Sequence, residues 1–199
     1  MSKLYFIRHA MTTANQSGSM VKNYDDTHIL PFDTVDWHNR IGKHIHYNKK
    51  TDLIMSSPAI RCKETAKCLF NNENEIFSNG NLKEFDCEGL GDLKFWEIDE
   101  KTFNEKTGLT NVDMALQVDL LLDNFKEVER VCDCDKIICF SHGMVIRYIY
   151  HYFNNNKQIS PYSVINSQGF SFANLDMLYV DTETNKTEVY RFKEPICHK

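Results

Sequence analysis

The sequence has no apolar run long enough to cross a bilayer and no excess of positive charge. Its formal net charge is −5, which argues against nucleic acid or an acidic membrane surface as a partner. The N-terminal residues carry no apolar signal region and no small-residue cleavage site. Internal repeats, low-complexity segments and linkers are also missing. We therefore predict that residues 1–199 form a single globular domain with a substantial core.

The seven cysteines are an odd number in a chain without a secretion signal, so we expect reduced thiols and a cytoplasmic protein. Cys132 and Cys134 are the closest pair, but a metal site would need two more clustered ligands. His44 and His46 are two positions apart, so on a helix they would point to different faces. We therefore expect no bound metal and no other cofactor.

Three short apolar runs of high β-propensity predict buried strands at residues 4–7, 52–57 and 135–140. Helices are predicted over residues 34–47, 58–69, 114–131 and 144–153, with short helical pieces between 93 and 109. A short strand is predicted at 76–77, and a closing antiparallel pair at 170–180 and 187–192. This alternation predicts an α/β fold, a three-layer α/β/α sandwich with a mostly parallel central sheet.

The apolar faces and starts of the helices can be assigned from the pattern. Thr34 is predicted to cap the first helix, and Ser57 the second, with Pro58 in its first turn. Residues 16–33 have no periodicity and are predicted to form a loop that lines a site. The first helix is predicted to bury Val35, Ile41 and Ile45. The later helices are predicted to bury Met114, Val118, Leu121, Phe125 and Val128, and then Val145, Ile146, Ile149 and Tyr150.

Cationic and small polar residues follow all three predicted strands. Arg8 and His9 end the first strand, Arg61 follows the second within one helical turn, and His142 follows the third. The carboxyl ends of neighbouring parallel strands meet at one edge of a sheet, where open α/β sheets bind ligands. Guanidinium groups and helix N-termini are the usual recognition chemistry for phosphate. The spacing therefore predicts a pocket for an anion.

Four motifs resemble those of the histidine phosphatase superfamily, which has the phosphoglycerate mutase-like fold. They occur in the family's order and span most of the chain. The motifs are Arg8-His9-Ala10-x-Thr12-x-x-Asn15, Ser56-Ser57-Pro58-Ala-Ile-Arg61-Cys-Lys-Glu-Thr65-Ala66, Leu82-Lys-Glu84-Phe-Asp-Cys-Glu-Gly89 and Phe140-Ser-His142-Gly143-x-x-Ile146-Arg147.

The resemblance implies a role for seven residues. His9 corresponds to the nucleophile that becomes phosphorylated, and Glu84 to the acid that protonates the leaving group. The groups that would bind the phosphoryl oxygens are Arg8, Asn15, Arg61, His142 and the backbone amide of Gly143. His9 must be neutral to attack phosphorus, and the nearby cations should lower its pKa accordingly. The pKa of Glu84 should be raised by the anion that it faces.

The function implied is that of a phosphoric monoester hydrolase. It would hydrolyse a small phosphomonoester without a metal, through a phosphohistidine, and release inorganic phosphate. Ala14 and residues 16–21 differ from the corresponding stretch of cofactor-dependent mutases. Two alternatives stay open, namely a phosphoglycerate mutase-type phosphotransferase and a non-catalytic phospholigand-binding protein. Neither the physiological substrate nor the oligomeric state follows from the sequence.

Several positions depart from the family pattern or extend it. Ala10 stands where the family usually has glycine, and would strain the loop if its φ were positive. Met11 replaces a frequent glutamate. A covering segment is predicted at about residues 85–130, with an apolar wall of Phe95, Trp96 and Phe103. Arg147 is predicted to be a structural ion-pair partner, and Asp86 and Glu88 belong to a solvated acidic loop.

Overall fold

The computed structural model describes residues 3–19, 27–70, 75–91, 93–154, 158–166 and 172–192. Six strands form one sheet: β1 (Lys3–Arg8), β2 (Asp52–Ser56), β3 (Ile76–Ser78), β4 (Lys136–Ser141), β5 (Met177–Asp181) and β6 (Lys186–Tyr190). Their order is β3-β2-β4-β1-β5-β6. The first four strands in this order are parallel, and β5 runs antiparallel to both β1 and β6. The predicted, mostly parallel sheet and its closing antiparallel pair are confirmed.

Helices lie on both faces of the sheet. They are α1 (Thr13–Gln16), α2 (Thr34–Arg40), α3 (Ile60–Phe70), α4 (Glu100–Thr107), α5 (Asn111–Cys132), α6 (Gly143–Phe153) and α7 (Pro161–Ile165). Short 3-10 turns occur at Gly42–His44, Gly80–Leu82, Glu88–Leu90 and Phe95–Glu97. The short helical pieces predicted between residues 93 and 109 therefore correspond to one such turn and α4.

The alternation of side chains along β1 separates two buried clusters. Leu4 and Phe6 belong to one cluster, which α5 and α6 cover, whereas Tyr5 and Ile7 belong to the other, which α2 and α3 cover. The three-layer α/β/α architecture is therefore confirmed. The predicted stripe of α5 is also buried at Met114, Val118, Leu121 and Phe125, and only partly at Val128.

The prediction for the first helix is wrong in three details. Its N-cap is Asp33 rather than Thr34, because the Asp33 carboxylate accepts from the amide of Asp36 at 2.9 Å. The helix ends at Arg40, before the 3-10 turn. Val35 is 68% exposed, and Trp37 is fully buried in its place. Trp37 is four positions before Ile41 and shares its buried face, whereas Val35 is six positions before Ile41 and points away from it.

Three other boundaries differ from their predictions. Ser57 lies three positions before the first residue of α3, and its hydroxyl accepts only a long bond of 3.4 Å from the amide of Ala59. The loop predicted for residues 16–33 contributes its first residue to α1, and residues 20–26 lie outside the described residues.

The last strand pair begins at Met177, because Leu175 has a positive φ of 68° that interrupts extended backbone. Residues 170–171 also lie outside the described residues.

The cysteines described by the structure are all free, and Cys132 is exposed while Cys134 is buried. Within the described ranges, no group of three or more His, Cys, Asp or Glu residues is placed to hold a metal ion. None of the described helices is long and apolar enough to cross a membrane.

The strand order places the predicted site at one edge of the sheet. β4 lies between β1 and β2, with Arg8 opposite Ser141 and Ser56 opposite Phe140. The chain therefore leaves three neighbouring parallel strands at the same edge. His142, which follows β4, lies between the groups that follow β1 and those that follow β2.

Candidate active site

All seven residues predicted for the site line one cleft at the carboxyl edge of the sheet. The cleft encloses about 520 Å³, including its open mouth. Its lining consists of Arg8, His9, Asn15, Arg61, Glu84, His142 and Gly143 together with Phe95, Met144, Arg147 and Ile165.

The imidazole of His9 is buried, and its tautomer follows from its contact with the backbone. Nδ1 lies 2.7 Å from the carbonyl oxygen of Ala10. A carbonyl only accepts hydrogen bonds, so Nδ1 carries the proton and Nε2 keeps a lone pair. Burial, followed by the charges of Arg8 and Arg61, holds the pKa of His9 well below its usual value. His9 is therefore a neutral imidazole with an available Nε2.

The loop that carries His9 is held by backbone and side-chain hydrogen bonds. The His9 amide donates to the carbonyl of Ser141 at 3.0 Å, and the Ala10 amide donates to Thr65 Oγ1 at 2.9 Å. Asn174 Nδ2 donates to the carbonyl of His9 at 2.9 Å. Ala10 is fully buried and is not one of the residues with a positive φ. Alanine therefore replaces glycine at this position without backbone strain.

Arg61 is 1% exposed and directs its guanidinium into the cleft wall. Its Nη2 donates to His142 Nδ1 at 3.3 Å. Its Nε and Nη1 are buried and have no hydrogen-bond partner among the described residues. Buried donors are normally paired, so these two are available for an anion in the cleft.

Arg8 reaches the same cleft from the end of β1. Its Nη1 donates to the carbonyl oxygen of Phe172. Gly143, at the start of α6, lies directly against this guanidinium, since a Cβ there would be 3.3 Å from Arg8 Cζ and Nε. The absence of a side chain at Gly143 therefore lets the cation approach the N-terminus of α6.

His142 has the opposite tautomer to His9. An arginine has no acceptor, so His142 Nδ1 accepts from Arg61, and the proton of the neutral ring is on Nε2. Nε2 donates to Ser57 Oγ at 2.9 Å. Burial and the neighbouring charge of Arg61 hold the pKa of His142 well below its usual value. The rings of His9 and His142 meet edge to face, with centroids 5.4 Å apart.

The carboxyl group of Glu84 lies against the N-terminus of α6. Oε1 accepts from the Val145 amide at 3.2 Å, and Oε2 accepts from the Met144 amide at 3.3 Å. Burial raises the pKa of Glu84 despite these amides and the charge of Arg8. The direction agrees with the prediction, and burial alone produces it without a bound anion. The buried carboxyl can therefore carry a proton above its usual pH range.

Asn15 is oriented by the cap of α1. Its backbone amide donates to Thr12 Oγ1 at 3.2 Å, and its side-chain Oδ1 accepts from the backbone amide of Thr12 at 3.3 Å. The same Oδ1 also accepts from Asn174 Nδ2 at 3.3 Å. Because Oδ1 is occupied on the protein side, the Asn15 Nδ2 donor is the group that this side chain offers to the cleft.

Three supporting residues were not predicted. Thr65 and Ser57 lie inside the second motif, so their place in the motif was a usable signal. Thr65 anchors Ala10, and Ser57 accepts the hydrogen bond from His142 Nε2. Asn174 contacts both His9 and Asn15 but lies outside all four motifs. No feature of its surrounding sequence marks it.

Two predictions about the cleft wall need correction. Of the three aromatic residues expected to form it, Phe95 lines the cleft, but Phe103 is fully buried and packs near Tyr162. Trp96 is 73% exposed and packs over Gly18 instead.

Arg147 was expected to form a structural ion pair. Its Nη1 instead donates to two backbone carbonyls at the end of α7, and its side chain lines the cleft.

The arrangement suits transfer of a phosphoryl group to a nitrogen. A neutral imidazole presents a lone pair, guanidinium donors surround the position of an anion, and a buried carboxyl can supply a proton.

Comparison with known proteins gives one family match and several solved structures of similar fold. A model of the histidine phosphatase superfamily, branch 1, matches residues 4–185. No curated protein sequence matches the chain significantly. Among solved structures, the chain is similar to a phosphoserine phosphatase from Entamoeba histolytica in complex with 3-phosphoglyceric acid. The two are 22% identical over 98% of each chain, with a TM-score of 0.71.

Two further structures are similar in fold. The α-ribazole phosphatase from Shigella flexneri is 15% identical over 95% of this chain and 94% of its own, with a TM-score of 0.65. A mycobacterial glucosyl-3-phosphoglycerate phosphatase with VO3 is 16% identical over 91% of this chain and 93% of its own, also with a TM-score of 0.65. At these identities the likeness establishes the fold, which is the phosphoglycerate mutase-like sandwich expected from the motifs.

Proposed function

The chain belongs to branch 1 of the histidine phosphatase superfamily, and we propose that it is a metal-independent phosphatase that hydrolyses a small phosphomonoester. The observation that carries the proposal is the pair formed by His9 and Glu84. A neutral imidazole with an available Nε2 and a buried carboxyl with a raised pKa line the same cleft. Hydrolysis in two steps needs such a nucleophile and such an acid.

In the first step, His9 Nε2 attacks the phosphorus of the bound ester. The bond between phosphorus and the ester oxygen breaks, and Glu84 donates its proton to that oxygen. Arg8 and Arg61 stabilise the charge on the equatorial oxygens of the transition state. Arg61 is suited to this role because two of its buried donors have no hydrogen-bond partner among the described residues. The products are an alcohol and phosphorylated His9.

In the second step, water attacks the phosphohistidine. The Glu84 carboxylate accepts a proton from this water while the bond between phosphorus and Nε2 breaks. Inorganic phosphate leaves, His9 is neutral again, and Glu84 is again protonated. The guanidinium groups neutralise the phosphoryl charge in both steps, which is the role that a metal ion fills in other phosphatases.

The size and lining of the cleft support a small substrate. Phe95, Met144 and Ile165 form apolar edges around the charged groups. The similar structures come from proteins named for small phosphorylated substrates, and one holds 3-phosphoglyceric acid. We expect a small-molecule phosphomonoester as the substrate and inorganic phosphate as the product. The free cysteines of the described residues support a cytoplasmic location.

The experiment that tests this function compares two histidine variants on a panel of phosphomonoesters. His9→Asn removes the nucleophile, whereas His46→Asn changes an exposed histidine whose positive φ of 48° suits asparagine. We expect release of phosphate by the wild type and by His46→Asn, and none above background by His9→Asn. Undiminished hydrolysis by His9→Asn would show that the mechanism is wrong.

The same panel separates the two alternatives. A phosphoglycerate mutase-type transferase would need a bisphosphate primer and would release little inorganic phosphate. A non-catalytic phospholigand-binding protein would bind phosphate and turn over no ester in the panel. The buried acid Glu84 favours the phosphatase over the binding protein, since binding alone requires no proton donor.

A further inference from the structure

Gln117 on α5 holds the backbone that leads into the acid, Glu84. Its Nε2 donates to the carbonyl oxygens of Asn81 at 3.1 Å and Lys83 at 2.9 Å. A primary amide has two N–H hydrogens, so one side chain can bond both carbonyls. Lys83 has extended backbone, with a φ of −60° and a ψ of 154°, and follows the 3-10 turn rather than continuing it. The contact therefore supplies hydrogen bonds that a regular element would otherwise provide.

Ser141 bonds the carbonyl between these two and also the loop of the nucleophile. It is fully buried at the end of β4, and its Oγ donates to the carbonyl oxygen of Leu82 at 2.8 Å. Its own carbonyl oxygen accepts from the His9 amide at 3.0 Å. One residue therefore joins the backbone two positions before the acid to the backbone of the nucleophile, and this sets the spacing between the two.

The carboxyl end of Glu84 is held by a different element. Its oxygens accept from the amides of Met144 at 3.3 Å and Val145 at 3.2 Å, at the start of α6. Flexible methylene groups separate this end from the main chain of Glu84, so the α6 amides alone do not fix that main chain. A proton donor must lie within hydrogen-bond reach of the leaving oxygen, and a displacement of about 1 Å can cost on the order of 100-fold in rate.

We propose that Gln117 and Ser141 are positioning residues that place the carboxyl of Glu84 for transfer of its proton to the leaving oxygen. The inference rests on the proposed function, because Glu84 has a proton to place only if an ester is cleaved. Neither residue is among the described residues that line the cleft, so both act through Glu84. The proposal gives α5 a role in the reaction in addition to its role in the core.

The test compares two leaving groups. The alkyl phosphomonoester that the wild type hydrolyses fastest needs a proton on its leaving oxygen, whereas p-nitrophenolate leaves without one. Rates of phosphoenzyme formation are measured in single turnovers on the full chain. Gln117→Met keeps the length and helix propensity of the side chain but removes its donors. We expect this variant to be about 10- to 100-fold slower with the alkyl ester and less than about threefold slower with p-nitrophenyl phosphate.

Two further variants separate positioning from a loss of structure. Ser141→Ala removes the bond to Leu82 from a different element, and should give the same difference between the two esters. Asn124→Ala is the matched control, because Asn124 also lies on α5 and accepts from Asn79 Nδ2 at 3.3 Å, at the start of the 3-10 turn rather than beside Glu84. Both rates should be unchanged in this control. Equal slowing of both esters in the two positioning variants would overturn the proposal.

A double-mutant cycle tests whether Gln117 acts through Glu84. The starting protein is Glu84→Gln, which has no proton to place. Addition of Gln117→Met should slow its phosphorylation by the alkyl ester by less than about threefold, because the interaction that Gln117 supports is already lost. A further loss as large as that in the wild-type background would show that Gln117 acts by another route, and would overturn the proposal.

Failure of this inference can be told apart from failure of the proposed function. Wild-type protein that forms a phosphoenzyme from both esters, together with a Gln117→Met variant that does so at wild-type rates, contradicts the positioning role and supports the phosphatase. Wild-type protein that forms no phosphoenzyme from either ester contradicts the phosphatase, and with it the role given to Gln117 and Ser141.

Discussion

His9 Nδ1 donates to the carbonyl oxygen of Ala10 across 2.7 Å, and this contact determines which nitrogen of the imidazole faces the cleft. Burial and two arginines keep the ring neutral. Because the backbone of the same loop fixes the tautomer, the nucleophile is prepared before any substrate binds. The acid, Glu84, is prepared by burial at the N-terminus of α6.

The first prediction concerns the role of Glu84 as proton donor. Glu84→Gln keeps the shape of the side chain but removes its acid. We expect kcat for alkyl phosphomonoesters to fall by about 100- to 10,000-fold, the usual contribution of general acid–base catalysis. Formation of the phosphoenzyme from p-nitrophenyl phosphate should fall much less, because its leaving group needs no proton. Equal losses with both substrates would argue against protonation by Glu84.

The second prediction concerns the pH dependence of the wild type. The pKa of His9 is lowered, so its ring stays neutral as the pH falls below 6.5 and activity is not lost there through His9. The pKa of Glu84 is raised, so the acid is lost only as the pH rises through that raised value. A profile of kcat/KM for an alkyl phosphomonoester should therefore decline on its alkaline side. Activity that rises as the pH increases through the usual histidine pKa, and does not decline at higher pH, would contradict both assignments.

The third prediction links Glu84 to stability. Its folded-state pKa lies above 4.5, so the folded protein retains the proton more strongly than the unfolded chain. The wild type should therefore lose stability as the pH rises through the folded pKa. The amide introduced by Glu84→Gln cannot ionise, so the Tm of this variant should exceed that of the wild type near neutral pH. The difference should shrink towards pH 4.5, and a difference that grows on acidification would contradict the assignment.

The fourth prediction concerns the contact between Gly143 and Arg8. A Cβ at Gly143 would lie 3.3 Å from the Arg8 guanidinium and would displace it. Gly143→Ala should weaken binding of inorganic phosphate by about 1 kcal/mol or more, roughly fivefold. Gly80→Ala is the matched control, since a Cβ there meets no atom within 4 Å. Calorimetry with phosphate gives both affinities, and equal affinities for the two variants would contradict the contact.

Much of the site could be predicted because it follows from local sequence. Strands that end in Arg8-His9, in Ser56-Ser57 and in Ser141-His142 are short-range patterns, and neighbouring parallel strands bring such ends together. The buried face of α2 was less predictable, since Trp37, one helical turn before Ile41, takes the core position that Val35 was expected to fill.

The long-range contacts could not be predicted from patterns of this kind. Asn174 reaches His9 because β5 returns antiparallel beside β1, and the sequence near Asn174 does not show that strand order. Arg147 lines the cleft because α7 offers carbonyl groups to it, a contact between separate helices that periodicity does not reveal.

The most direct test of the account is to trap the phosphorylated enzyme. Wild-type protein is mixed with a labelled phosphomonoester, quenched rapidly in base and digested for mapping of the label. We predict an acid-labile phosphate on His9 that forms before phosphate is released and is missing from His9→Asn. Release of phosphate by the wild type with no phosphoenzyme at any time, or a label on another residue, would contradict the central claim.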